Sequence, residues 1–174
     1  DFDISSHERE IRRQIGYVPE SDCLIPGMDA VTLTAYLGEL AGMPRQEAVK
    51  RAHDVLYYVG LGEARYRPAA TYSAGMKQRL KLATALVHDP KLLFLDEPTS
   101  GMDPQARNEM LALIRDIAGK QTMDIILSSN ILTDIENTCS HVLIMHQGRI
   151  VIQQPIEALR RERYDVFELK LTGD

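Results

Sequence analysis

At 174 residues, 44% hydrophobic and 26% charged, the chain is long enough for one domain with a proper core, and its balance excludes a disordered or fibrous protein. A net charge of -5 argues against a nucleic-acid surface as its main business. No apolar run approaches the roughly 18–20 residues that span a bilayer, and Cys23 and Cys139 lie far apart, outside any metal-ligand spacing, so they read as reduced thiols of the cytosol.

The opening DFDISSHERE is charged and polar, unlike a secretory signal, and DFDISS reads as the middle of a domain rather than its beginning. Residues 14–18 (QIGYV) are a short β-prone run that stops at Pro19, a strand leading into a loop. That loop, PESDCLIPGMD, holds two prolines, a glycine and two aspartates, which is turn chemistry throughout. Helical patterning follows over residues 30–41, broken by Gly42 and Pro44. A second helix over 46–59 places Val49, Ala52, Leu56 and Val59 on one face, and Gly60 and Gly62 end it. No strand separates these two helices, so they predict an all-helical insert docked on something else.

From residue 74 to 88, Met76, Leu80, Ala83 and Val87 recur at spacings of four, three and four, an amphipathic helix that Asp89-Pro90 stops. LLFL at 92–95 is continuously apolar, the signature of a strand covered on both faces. Pro104 suits the first position of a helix whose buried stripe is Met110, Leu113, Ile114 and Ile117. Residues 124–128 read as another buried strand and 131–139 as a short helix. Residues 141–145 and 149–153 flank His146-Gln147-Gly148, a hairpin signal. A charged helix is expected over 155–163, and the alternating run at 166–171 could begin a further strand. Strands alternating with helices predict an α/β fold with a parallel sheet.

Two places carry chemistry. Asp96 and Glu97 end an apolar strand, where open α/β sheets bind their ligands. One carboxylate there can hold Mg²⁺, largely through water, and its neighbour can orient or deprotonate an attacking water. A solvated acidic strand end is the plainer alternative. Ser73-Ala74-Gly75 opens a helix, whose unpaired amides and partial positive charge attract phosphate, with Lys77, Arg79 and Lys81 raising the local potential. The plainer alternative makes Ser73 an N-cap, worth about 1 kcal/mol, and the basic residues a solvated face.

Taken in order, these segments resemble the nucleotide-binding domain of ABC transporters. YSAGM at 72–76 is similar to the family signature Leu-Ser-Gly-Gly-Gln, LLFLDE matches the Walker B motif, and PTSGMD matches the D-loop. GYVPE sits where the family has its Q-loop, and SSN at 128–130 where its switch histidine is expected. The resemblance implies a P-loop NTPase-like, mostly parallel sheet flanked by helices. In it, residues 30–88 are the helical subdomain, 14–20 and 89–154 the α/β core, and 155–174 a C-terminal extension.

It also implies roles. Asp96 would help hold Mg²⁺ and Glu97 would be the catalytic base. Ser73, Ala74, Gly75 and Met76 would face the γ-phosphate of an ATP bound mainly to a second nucleotide-binding domain. Asp103 would contact that domain, though before Pro104 it is equally an N-cap. The insert from residue 30 to about 68 would receive the coupling helix of a transmembrane permease, which places the protein in the cytoplasm, peripheral at the inner face of the cell membrane. The form Tyr-Ser-x-Gly-Met-Lys-Gln-Arg is most like multidrug and antibiotic exporters.

Four departures qualify this. A Walker A loop needs Gly, four residues, then Gly-Lys-Ser/Thr; the only Gly-Lys here is Gly119-Lys120, with Ile114 and Gln121 at the other required places. The part of the domain bearing that loop is expected to be cut away or separate, and the 174 residues alone to bind ATP poorly. Glu20 stands where the family usually has Gln; it could still ligate metal but repels phosphate. Ala74 replaces a signature glycine. Asn130 stands at the switch-histidine position, where an amide can donate a hydrogen bond but cannot titrate; it could also cap the following helix. The alternatives to an exporter ATPase are a degenerate, non-hydrolysing subunit with a structural or regulatory role, and a soluble relative with no permease.

Overall fold

The structure, a computed structural model, describes residues 3–163, which fall into two compact units divided after Asn130. The strand expected at 166–171 lies outside the described residues.

The first unit is built on a three-stranded parallel sheet in the order β1 (Ile15–Val18), β2 (Leu92–Asp96), β3 (Asp124–Ser128). Leu93 and Leu95 of β2 are buried while Leu92 and Phe94 are half-buried, so one face is covered fully and the other in part. β3 departs further from expectation. None of its residues is fully buried, and Ile126 is 51% exposed. Among the described residues only β2 has a strand on each side. An apolar run marks a strand but not its rank in the sheet. Gly16 explains how β1 comes so close to the helix layer: a Cβ there would lie 2.4 Å from the Ala85 carbonyl oxygen and 2.8 Å from Leu93 Cδ1.

Ahead of the sheet lies α1 (Glu8–Gln14), a helix without a buried residue and so without apolar periodicity to announce it. Glu8 and Glu10 in its first turn and Arg12 and Arg13 in its last complement the helix dipole. The loop after β1 leads to α2 (Ala30–Leu40), where the Asp29 side chain accepts from the Thr32 amide at 2.8 Å. The next helix, α3 (Arg45–Tyr58), buries Ala48, Ala52, Val55 and Leu56, whereas Val49 is 37% exposed. The expected face was rotated because the closest contact is made by small residues. Ala35, Ala48 and Ala52 form one cluster, and a Cβ on Gly38 would meet Ala48 Cβ at 3.3 Å.

Helix α4 (Ala74–Leu86) contacts α2, α3 and β1, and also α5 (Pro104–Gly119). Every residue from Leu80 to Val87 is buried, Lys81 and Thr84 included, so its second half is enclosed on all faces rather than amphipathic. Its leucines join Leu33, Leu56, Leu93, Leu95 and Ile114 in the main core, and each such side chain contributes roughly 1.5–3 kcal/mol by burial. α5 starts at Pro104 as expected and buries Met110, Leu111, Ile114 and Ile117, with Leu113 half-buried.

The second unit contains α6 (Leu132–Thr138), the antiparallel pair β4 (His141–His146) and β5 (Arg149–Pro155), and α7 (Ile156–Arg163). His146 pairs with Arg149, which leaves Gln147 and Gly148 as a two-residue turn with φ of 48° and 74°. Positive φ at both central positions is the type I′ geometry that matches strand twist. Among the described residues no helix is long and apolar enough to cross a membrane.

Candidate functional site

The carboxyl end of β2 gathers the two carboxylates that the chain order singles out. Asp96 pairs in register with Ser128 of β3, and the Ser128 hydroxyl donates to Asp96 Oδ1 at 2.6 Å. The Glu97 amide then donates to the Ser128 carbonyl at 3.1 Å and approaches its Oγ at 3.4 Å. Glu97 itself has φ 45°, left-handed backbone that costs an ordinary residue roughly 1–2 kcal/mol. The turn is closed by the Ser100 amide donating to the Glu97 carbonyl at 3.0 Å. Backbone held in this region against its preference is often part of a functional site. Ser128, whose role depends on register with Asp96 and has no local sequence signal, positions both acidic residues.

The head of α4 lies against the loop that follows. Ser73 caps the helix, its Oγ accepting from the Met76 amide at 3.3 Å, and Ser73 and Ala74 are exposed. The amides of Ala74 and Gly75 make no hydrogen bond to the described residues, so they remain available to an anion. Gly75 packs closely against the start of α5 and the loop before it: a Cβ there would meet Ala106 Cβ at 3.3 Å and Met102 Cε at 3.4 Å. The buried Gln78 donates from Nε2 to the Ser100 carbonyl at 3.3 Å. Asp103 caps α5, accepting from the Gln105 and Ala106 amides at 3.1 and 3.0 Å, and is exposed. The capping alternatives for Ser73 and Asp103 are therefore both realised.

The basic residues of α4 are each committed to a partner rather than standing as a solvated face. Lys77 pairs with Asp22 at 2.9 Å, and that contact is the main reason the Asp22 carboxyl is held below its usual pKa. Arg79 donates to the Val59 carbonyl at 2.6 Å and pairs with Glu109 at 2.7 Å. Lys81 is buried on the loop that carries Glu20. Glu20 is exposed. Asn130 is exposed too and is not the cap of α6: the helix begins at Leu132 with Ile131 in the cap position and no side-chain bond there.

Among the described residues no group of three or more His, Cys, Asp or Glu could hold a metal ion unaided. The donors at the end of β2 are one Asp96 oxygen outside the Ser128 bond and the Ser128 hydroxyl itself. Such a set fits a hard cation that keeps most of its water and shares its shell with phosphate, as Mg²⁺ does in nucleotide sites.

Residues 2–100 match the ABC transporter family. The chain belongs to that family. It is 37% identical over 161 residues to the ABC transporter ATP-binding protein YxlF of Bacillus subtilis strain 168, covering 92% of this chain and 54% of the relative. It is 36% identical over 148 residues to the linearmycin resistance ATP-binding protein LnrL of the same organism, covering 85% of this chain and 47% of the relative. Among solved structures, cbiO1 of Clostridium perfringens, part of the ABC transporter complex cbiONQ, matches with a TM-score of 0.78 at 26% identity, over 88% of this chain and 62% of that one. The chain spans about half the length of the curated relatives it matches. The α/β architecture with its parallel sheet is the fold of ABC ATP-binding subunits.

Proposed function

We propose that the protein carrying this chain binds and hydrolyses ATP as the nucleotide-binding subunit of an ABC transporter that powers export through a membrane permease. The observation that carries this reading is the end of β2, where Ser128 holds both Asp96 and the backbone of Glu97. In this reading Asp96 holds Mg²⁺, which supplies charge neutralisation on the phosphates when bound. Glu97 orients or deprotonates the attacking water. Ser73, Ala74, Gly75 and Met76 present the helix start to the γ-phosphate of an ATP held mainly by a second nucleotide-binding domain, in a homo- or heterodimer. Asp103 meets that domain while capping α5, and Glu20 occupies the Q-loop position beside the metal.

In the helical subdomain at 30–88, the insert from residue 30 to about 68 receives the coupling helix of the permease; residues 14–20 and 89–154 make up the α/β core, and 155–174 a C-terminal extension. The subunit works at the cytoplasmic face of the membrane, attached through its permease. The name of LnrL, a resistance protein, and the Tyr72–Arg79 form of the signature support export as the direction.

Asn130 favours a second reading, a non-hydrolysing subunit, because an amide cannot share a proton at the transferred phosphate. Phosphate release from ATP by the intact protein, with Mg²⁺ and with the metal chelated, decides between them. Metal-dependent turnover that rises in Asn130→His supports a weakened ATPase. No turnover, alone or with the permease, leaves the structural role.

A further inference from the structure

Lys81 has chemistry that the roles above do not use. It sits in the enclosed half of α4, 3% exposed, and its Nζ donates to three successive carbonyls: Pro19 at 2.7 Å, Glu20 at 3.1 Å and Ser21 at 3.4 Å. An ammonium has three donors and no acceptor, so all of its capacity is spent on this one loop. Burying such a group is unfavourable unless every donor is used. Burial pushes the Lys81 pKa below the ordinary lysine value, against the opposing pull of Cys23, Asp22, Glu20 and Asp96.

An apolar side chain would fill the same space without that cost. The ammonium adds direction, because three carbonyls that converge on one atom fix the peptide planes on either side of Glu20. One turn earlier on the same face, Lys77 takes the Asp22 carboxylate at 2.9 Å, a second fastening of the same loop. Gln78 meanwhile ties α4 to the Ser100 carbonyl. Helix α4, capped by Ser73, thus grips the loop of Glu20 and the turn leading to Asp103.

We infer that Lys81 is a positioning residue: it locks the 19–22 loop onto α4, so that Glu20 and the start of α4 move as one body. The kinetic half of this inference rests on the ATPase reading above; the clamp itself does not.

The test uses the intact protein with Lys81→Met, which keeps the stem and removes the donors, and Lys81→Arg, which keeps the charge and donors. In Lys81→Met, hydrogen exchange at the amides of residues 20–24 should rise about tenfold or more, with β2 and residues 80–87 unchanged. Its kcat should fall about 10- to 100-fold, as small misplacements at a reacting centre do, while KM for Mg-ATP shifts less than about twofold. Lys81→Arg should restore part of both. Unchanged exchange overturns the clamp, and loosened exchange with wild-type kcat overturns the positioning role. If Lys81→Met does not fold, the wild-type Lys81 ammonium protons, observed by ¹⁵N NMR, should exchange slowly; fast exchange overturns the inference. A wild-type protein with no ATP turnover sinks the ATPase reading instead, and the exchange data then decide the clamp alone.

Discussion

Ser128 donates its hydroxyl to Asp96 at 2.6 Å across the β2–β3 pairing, and its carbonyl accepts the Glu97 amide at 3.1 Å. One residue on an outer strand of the described sheet therefore sets the orientation of one carboxylate and the backbone of the next. Ser128→Ala should cost only about 1 kcal/mol in a urea titration, since the site is exposed and water can replace the lost bond. Its effect on ATP turnover should be larger than that fraction of stability suggests, with Ser128→Thr close to wild type. Steady-state kinetics on the three proteins checks this.

Gly16→Ala tests how tightly β1 is seated. The added Cβ would meet the Ala85 carbonyl at 2.4 Å and Pro90 Cγ at 3.1 Å, and the first of these is backbone in an enclosed helix that cannot easily give way. Overpacking of this kind costs about 1–3 kcal/mol or more. The denaturation midpoint of Gly16→Ala should drop accordingly. A midpoint equal to wild type would show that β1 can shift away from α4.

His88 should make stability fall in mild acid. Its ring is half-buried, and Nε2 donates to the Ile15 carbonyl at 3.0 Å, which fixes the proton on that nitrogen in the neutral form. Burial lowers its pKa from the ordinary 6.5, outweighing the Ile15 bond and Asp89. The folded state thus resists the proton that the unfolded chain accepts. The stabilising contribution is complete above the unfolded value and is lost as pH falls below it toward the lower folded value. His88→Gln keeps an amide donor and cannot titrate, so its stability should vary less between about pH 7 and pH 5 than that of wild type. Denaturant titrations at several pH values give both slopes.

What the sequence made legible was local. Asp103 and Pro104 announce the start of α5, Gln147-Gly148 the hairpin turn, and LLFLDE the central strand, because each is decided by neighbours along the chain. The misreadings came from tertiary placement. Ile126 sits in the middle of the apolar run Ile125-Ile126-Leu127 yet is half exposed, since rank in the sheet is not a property of the strand itself. Val49 looked like core, but the α2–α3 contact is made by alanines and Gly38. Lys77, Arg79 and Lys81 read either as a source of local positive potential or as a solvated face, and each is committed to a partner at least 20 residues away. Ser128 carried no local signal at all, because its role depends on register with Asp96.

Asp103 allows its two assignments to be separated. Asn caps a helix about as well as Asp, while Ala does not, at a cost of about 1 kcal/mol. Asp103→Ala should therefore lower stability and Asp103→Asn should not. If the charge also meets a second nucleotide-binding domain, Asp103→Asn should weaken ATP-dependent dimerisation of the intact protein without destabilising it. Analytical ultracentrifugation with and without ATP reads the second effect independently of the first.

The central claim, that the end of β2 is the hydrolytic site of an ABC transporter ATPase, is tested most directly by Glu97→Gln in the intact protein. The substitution keeps the size of the side chain and removes the base. General-base catalysis accounts for roughly 10²–10⁴-fold in rate. The predicted result is a loss of ATP turnover in that range with nucleotide affinity retained. Turnover near the wild-type rate in Glu97→Gln would contradict the assignment.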